Sequence, residues 1–351
     1  MMKKLYDILR FILKCILIPA AAIFLIYCLN KPYRHIDANK YLDVSKFSTL
    51  RAYYTEVQIG NIGSSHGAYD FDYTPLTERG YSCFNFANTS QSFNYDYAIL
   101  KEYGHFLAPG SVLFIPVSYF SFNNEVINAS EAQALSVRYY HCLTPENVPD
   151  YDPYIDLVAN KFPVLSAGED ILKIFPDLKL SLTAFAKENN ETTDNIEKNN
   201  KIDNNNENND EIIDTPDTNA EINIEEFAAR AKDRYSRHFD NKEEYFLEER
   251  IADLYDILNY CKENEITPVL ITTPFSIYYT ELVSEEFLQE FDETVKRIAS
   301  DTGVSYYDFS NDERFRDNLT YFADSDHLNE KGCEFFMQVL LEEVSELSIF
   351  P

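Results

Sequence analysis

Five short, mostly apolar runs set the limits on what this chain can fold into: 57–62, 82–86, 111–117, 267–272 and 304–309. Val57-Gln-Ile-Gly-Asn-Ile62 places apolar residues at alternate positions, and Ser111–Val117 is nearly continuously apolar, as a strand covered on both faces must be. Most are separated by helical-period segments. Tyr95–Leu107 puts Ile99, Tyr103 and Phe106 on one face, and Glu244–Glu263 does the same with Leu247, Ile251, Leu254, Leu258 and Cys261. A third helix starts at the N-cap Ser284, buries Phe287, Phe291, Val295 and Ile298, and ends at Gly303. A fourth covers Asn329–Val344. Between Asn124 and Phe185 only short helices fit, because Pro145, Pro149 and Pro153 interrupt the pattern. This alternation predicts an α/β fold, a three-layer α/β/α sandwich around an open parallel sheet. Ligands of such sheets sit beyond the carboxyl ends of the strands.

Charge narrows the function. The 351 residues hold 30 Lys+Arg against 59 Asp+Glu, a net charge of −29. That balance excludes a nucleic-acid partner and adsorption to anionic lipid through a basic surface. Between Lys187 and Glu226 there are 13 acids, 3 bases and 12 Asn. Such a stretch buries too little apolar surface to offset its ordering entropy and is expected to be a disordered insert.

The amino end is apolar from Ile8 to Leu29, and 15–29 carries no charge. About 20 residues suffice to cross a bilayer. An uncleaved anchor in the lipid bilayer through 8–29 is the preferred reading, with a cleaved signal peptide as the competitor. The short amino end is expected in the cytoplasm and the body outside. The expected organisation is thus a cytoplasmic stub and anchor (1–30), a juxtamembrane linker (31–50), a domain in two parts (51–186 and 227–351) and the insert (187–226). Cys83, Cys142, Cys261 and Cys333 lack metal-type spacing and are expected as buried free thiols, although an extracytoplasmic body would permit a bridge.

Four polar clusters fall after strands. Gly63-Ser-Ser-His-Gly67 follows the first, and its two glycines let the backbone turn sharply and expose Ser65. A serine hydroxyl needs a base, and the best candidate is His327 in Asp324-Ser-Asp-His327. The three-residue spacing lets one tight loop present Asp324 to the imidazole, with Asp326 pointing away. Loop N–H groups near Ser65 and Ser90 are candidate oxyanion donors.

These blocks resemble those of the SGNH, or GDSL-type, serine hydrolase and acyltransferase superfamily. Gly63-Ser64-Ser65 resembles its Gly-Asp-Ser block with Ser64 in place of Asp, and Asp324–His327 its Asp-x-x-His block. Asn85–Ser92 resembles the second block, with Ser90 where a Gly is usual; Ser118 is the nearest substitute for the Asn of the third. The resemblance implies a flavodoxin-like sheet, Ser65, His327 and Asp324 as a triad, and an oxyanion pocket at Gly63, Ser90 and Ser118. No metal or organic cofactor is implied. The anchored layout also resembles envelope members that move acyl groups on surface polymers, including the D-alanyl transfer proteins of teichoic acid assembly. Partners so implied are an acyl donor, a carbohydrate acceptor and a membrane acyl exporter.

Gly63-x-Ser65-x-Gly67 also satisfies the nucleophile elbow of α/β-hydrolases. That fold places its elbow after several strands and its acid and histidine on separate loops, neither of which holds here. His66 is read as shaping the pocket, whereas His35, His105, His141 and His238 are isolated. Two functional readings follow. One is a serine esterase or O-acyltransferase acting on an envelope glycan or glycolipid. The other, supported by the altered second and third blocks, is a catalytically silent binding or scaffold domain of the same fold.

Overall fold

The computed structural model describes residues 2–37, 42–123, 136–175, 223–240 and 244–344. The chain forms two compact units, one of Met1–Leu42 with Asp150–Asp210, the other of Asp43–Pro149 with Glu211–Pro351.

In the first unit, α1 (Met2–Asp37) runs for 36 residues. Its segment Tyr6–Arg34 is long and apolar enough to cross a membrane. Near the carboxyl end of α1, Asn30 donates to the Lys161 carbonyl at 2.9 Å and Arg34 to that of Asn160 at 2.6 Å. Tyr33 packs with Val164 and Ala167, so short turns between Pro153 and Ile174 are held on this end of the helix. Proline at 153 and 163 starts two of these turns, where a missing N–H costs nothing.

The second unit holds a five-stranded parallel sheet: β1 (Val57–Asn61), β2 (Cys83–Asn85), β3 (Leu107–Pro116), β4 (Thr267–Thr272) and β5 (Ser305–Asp308), in the order β2-β1-β3-β4-β5. This is the flavodoxin-like order, whose switch point lies between β1 and β3. Neighbours are in parallel register throughout, for example Ile59 with Val112 and Phe114 with Val269. Period-two alternation sends Ile59, Val112, Phe114, Val269 and Ile271 to one face. There they pack with Phe336, Met337 and Leu340 of the last helix, α10 (Glu330–Val344). Leu113, Ile115 and Leu270 alternate to the other face and are fully buried. On that side α5 (Phe93–Tyr103) packs on α7 (Glu248–Glu263), and α7 on β4. The expected α/β/α sandwich is therefore the fold, and all five strands lie where the apolar runs put them.

The helix α9 (Glu285–Thr302) has the expected caps: the Ser284 hydroxyl accepts from Phe287 N–H at 3.2 Å, and Gly303 is left-handed with φ 70°. Two elements differ from the reading of the sequence. The expected linker, 31–50, is instead the end of α1 and most of α2 (Leu42–Tyr53), whose Val44, Phe47 and Leu50 are buried. The end of the expected insert belongs to α6 (Ile224–Phe239), capped by Asn223. Residues 187–222 of the expected insert lie outside the described residues; 223–226 are the cap and first turn of α6. The four body cysteines are buried free thiols.

The remaining short helices are α3 (Ser65–Tyr69), α4 (Thr74–Glu78) and α8 (Ile277–Thr280). Gly67 of α3 is wedged against β1 and the second loop. A Cβ there would meet the Ile62 carbonyl at 2.5 Å and the Ala87 methyl at 2.8 Å. Gly67→Ala is therefore expected to cost about 1–3 kcal/mol, read as a lower melting temperature by thermal unfolding.

Candidate active site

The nucleophile loop is built by β1 stopping short. Gly63 takes φ 119°, a region closed to most side chains, and turns the chain into α3 with Ser65 as its first residue. Two amides then pin that helix. Asn61 and Asn85 both donate to the Gly67 carbonyl, at 2.7 and 2.8 Å. Asn61 in turn accepts from the Tyr73 hydroxyl at 2.8 Å. Ser65 is thus held at the carboxyl edge of the sheet, 6 % exposed.

The last loop meets it there. Asp324 Oδ1 accepts from the N–H groups of Asp326 and His327 at 3.0 and 2.8 Å, which closes the tight turn. Its Oδ2 accepts from His327 Nδ1 at 2.8 Å. That contact leaves Nε2 as the acceptor, and the Ser65 hydroxyl lies 2.8 Å from it. Two further bonds lock the loops together: Leu328 N–H to Asp70 at 3.1 Å, and the Cys333 thiol to the Tyr69 carbonyl at 3.1 Å. Ser65, His327 and Asp324 therefore form one hydrogen-bonded chain across 262 residues of sequence. Burial opposes the charged form of His327, but the Asp324 and Asp326 carboxylates outweigh it and raise its pKa from 6.5 to about 9. Asp324 is held below the usual carboxylate range by His327 despite its burial.

Behind the triad lies a second polar layer. Asp326 turns from the Nδ1 of His327 and pairs with the Arg234 Nε of α6, 3.1 Å from either oxygen. The His66 ring donates from Nε2 to the Asp326 carbonyl at 2.8 Å. Its Nδ1 lies 2.5 Å from the Ser118 hydroxyl and in the neutral ring accepts from it. Ser118, a residue expected in the oxyanion pocket, thus has its hydroxyl engaged with His66. One turn beyond Arg234, His238 lies 2.5 Å from the Tyr279 hydroxyl, and burial keeps its pKa well below 6.5. His66, Asp326 and His327 offer three ligand atoms within 4.8 Å of one another. The guanidinium of Arg234 already holds Asp326 and lies beside His327, so that set is spent on protein partners and fits no cation as it stands.

The second loop is tied to the first through Gly63. The Gly63 carbonyl accepts from Asn88 N–H at 3.1 Å, and its own N–H donates to Asp96 at 2.7 Å. Gln91 donates to the same Asp96 oxygen at 2.6 Å and accepts from Tyr139 at 2.9 Å. Within this frame Ser90 adopts φ 50°, the left-handed region where a glycine would be unstrained. Burial raises Asp96 to about 7, against the opposing Gln91, Gly63 and Lys46, and raises Asp70 to about 6.

Arg234, Asp70 and Asp96 carry no sequence motif, and His238 stands isolated in the sequence. A signal was nonetheless present. Ala231, Arg234 and His238 occupy the i, i+3, i+7 stripe of a helix, and all three are buried. Polar residues on that stripe hide it from a search for apolar period.

A protein-family model described as the DltD protein matches residues 164–333, just under half of the chain. The match takes in Arg234 and Asp324–His327 but not the Ser65 loop. No curated protein matches. Among solved structures, a Streptococcus pneumoniae protein provisionally described as a platelet activating factor aligns at 11 % identity and TM-score 0.42, covering 94 % of this chain and 99 % of its own. An acylhydrolase, also provisionally described, from Bacteroides fragilis NCTC 9343 aligns at 9 % and 0.39, covering 87 % and 97 %.

The Asp96 shift has a consequence for stability. Its folded pKa lies above the ordinary 3.8, so the folded chain holds this proton more tightly. The contribution is fully present below about pH 4 and is lost as pH rises through about 7. Asp96→Asn keeps an amide oxygen for Gly63 and Gln91 without the charge. It should raise the melting temperature at pH 8 by several degrees over the unmodified protein, with the gap closing toward pH 4.

Proposed function

We propose that this chain is a membrane-anchored serine acyltransferase or esterase of SGNH type, acting on acyl groups of a cell-envelope glycan or glycolipid. The observation that carries the reading is the chain of two 2.8 Å hydrogen bonds from Ser65 through His327 to Asp324. Ser65 Oγ attacks the acyl carbonyl while its proton passes to His327 Nε2. Asp324 holds Nδ1–H and stabilises the imidazolium. The backbone N–H groups of Ser65 and Ser90 receive the oxyanion; Ser90 takes a left-handed backbone, which a glycine would adopt without strain. His327 returns the proton to the leaving group as the tetrahedral intermediate collapses to an ester on Ser65. Water or a carbohydrate hydroxyl then attacks that ester, again with His327 taking the proton, and His327 passes it back to Ser65 Oγ as the serine–acyl bond breaks and the product leaves.

The similarity to the DltD family supports D-alanyl transfer to teichoic acid as the specific reaction, with a membrane acyl exporter as upstream partner. The apolar helix α1 supports an anchor, with the body outside the membrane. One observation favours a second reading, a silent scaffold. Ser118, nearest in sequence to the usual side-chain oxyanion donor, has its hydroxyl engaged with His66.

A fluorophosphonate probe separates the two. The enzyme should be labelled at Ser65, and Ser65→Ala should lose labelling by a factor of more than 1,000 or so while melting unchanged. Labelling at another residue rejects the assignment, and a Ser65 that resists every serine probe leaves the scaffold. Because His327 must be unprotonated to act, the labelling rate should climb with pH and level off above about 9.

A further inference from the structure

Arg234 is the one cation that touches the triad among the described residues. Its Nη2 lies 3.1 Å from His327 Nε2 and 3.4 Å from Nδ1. The two ring nitrogens flank Cε1, so a position this nearly equidistant and in the ring plane would overlap that carbon. The guanidinium nitrogen therefore lies against the ring face. There it leaves the in-plane lone pair of Nε2 to the Ser65 hydroxyl. The same guanidinium reaches Asp326 through Nε. A planar fork does both at once, where an ammonium would have to choose.

The surroundings show what this cation offsets. From its own loop, His327 faces the carboxylates of Asp324 and Asp326. From α3 come His66 and the ring of Tyr69, at right angles to the imidazole, and from the cap that ends α3 comes Asp70. From α6 come Arg234 and His238, and from α8 Tyr279. Burial keeps His238 and Tyr279 uncharged. Two carboxylates beside one buried imidazole favour the imidazolium, which cannot accept a proton from serine.

We propose that Arg234 is a positioning residue that limits the proton affinity of His327, lying on the face of its ring while it neutralises Asp326, so that Nε2 stays open to Ser65. The proposal rests on the triad reading for its meaning in catalysis, but its first test does not. It acts through like-charge repulsion against an imidazolium and through the removal of one carboxylate's pull. Arg234 takes no part in bond making.

The test is the titration of His327 in the full-length protein labelled with 15N at histidine, its signal identified by loss in H327Q. R234Q should raise the His327 midpoint by about one pH unit or more. R234K keeps a cation that cannot both grip Asp326 and cover the ring, and should move the midpoint the same way by less. An unchanged or lowered midpoint in folded R234Q overturns the proposal; if R234Q does not fold, an unchanged midpoint in R234K does so. The labelling rate at Ser65 gives the catalytic arm. At pH 7.5 R234Q should be slower by about tenfold for each unit of midpoint shift, and should converge on the unmodified rate at high pH. A loss equal at every pH assigns Arg234 a merely structural role. Absence of Ser65 labelling in the unmodified protein rejects the acyl-enzyme reading and leaves the titration result standing.

Discussion

A fully buried imidazole holds the two ends of the sheet domain together. His327 touches the first strand-to-helix loop through Ser65 and its own loop through Asp324. Almost every polar group nearby serves to keep it there. Asp70 binds the residue after it, His66 binds the carbonyl before it, and Arg234 covers its ring. Burying so many charges is tolerable only when each is paired, and breaking such a pair costs about 3–5 kcal/mol. The site is therefore also a large part of what closes the domain.

The parallel sheet supplies the rest. Because every strand of the sheet runs the same way, the loops that carry Ser65, Ser90 and Ser118 all emerge at one edge. Asparagines at the strand ends, Asn61 and Asn85, convert the edge into a mount for α3 by taking up the Gly67 carbonyl. Their amides do for a five-residue helix what a longer helix would do with its own hydrogen bonds. The two-layer arrangement explains why two serine–histidine contacts coexist. Ser65–His327 lies at the edge, while Ser118–His66 lies beneath it with both residues buried.

Much of this was legible from residues alone. The apolar runs located all five strands, since a strand buried on both faces must be apolar along its length. Ser284 and Gly303 marked the ends of α9 because their backbone chemistry suits those positions and few others. Gly63-x-Ser65 and Asp324-x-x-His327 declared themselves because a tight turn and an i to i+3 carboxylate–imidazole pair are local geometries. What escaped was non-local. α6 has a core stripe of Ala231, Arg234 and His238, which reads as a polar surface until its neighbours are known.

Sequence by itself determined the layers, the strand order's raw material and the two motifs, because those depend on residues a few positions apart. It could not decide that an arginine from a separate helix would lie on the histidine ring. Nor could it decide that Ser118 would engage its hydroxyl with His66, or that Ser90 would accept a left-handed backbone. Each depends on which distant groups share a low-dielectric space, and only the folded chain brings a guanidinium, two carboxylates and two imidazoles within reach of one another.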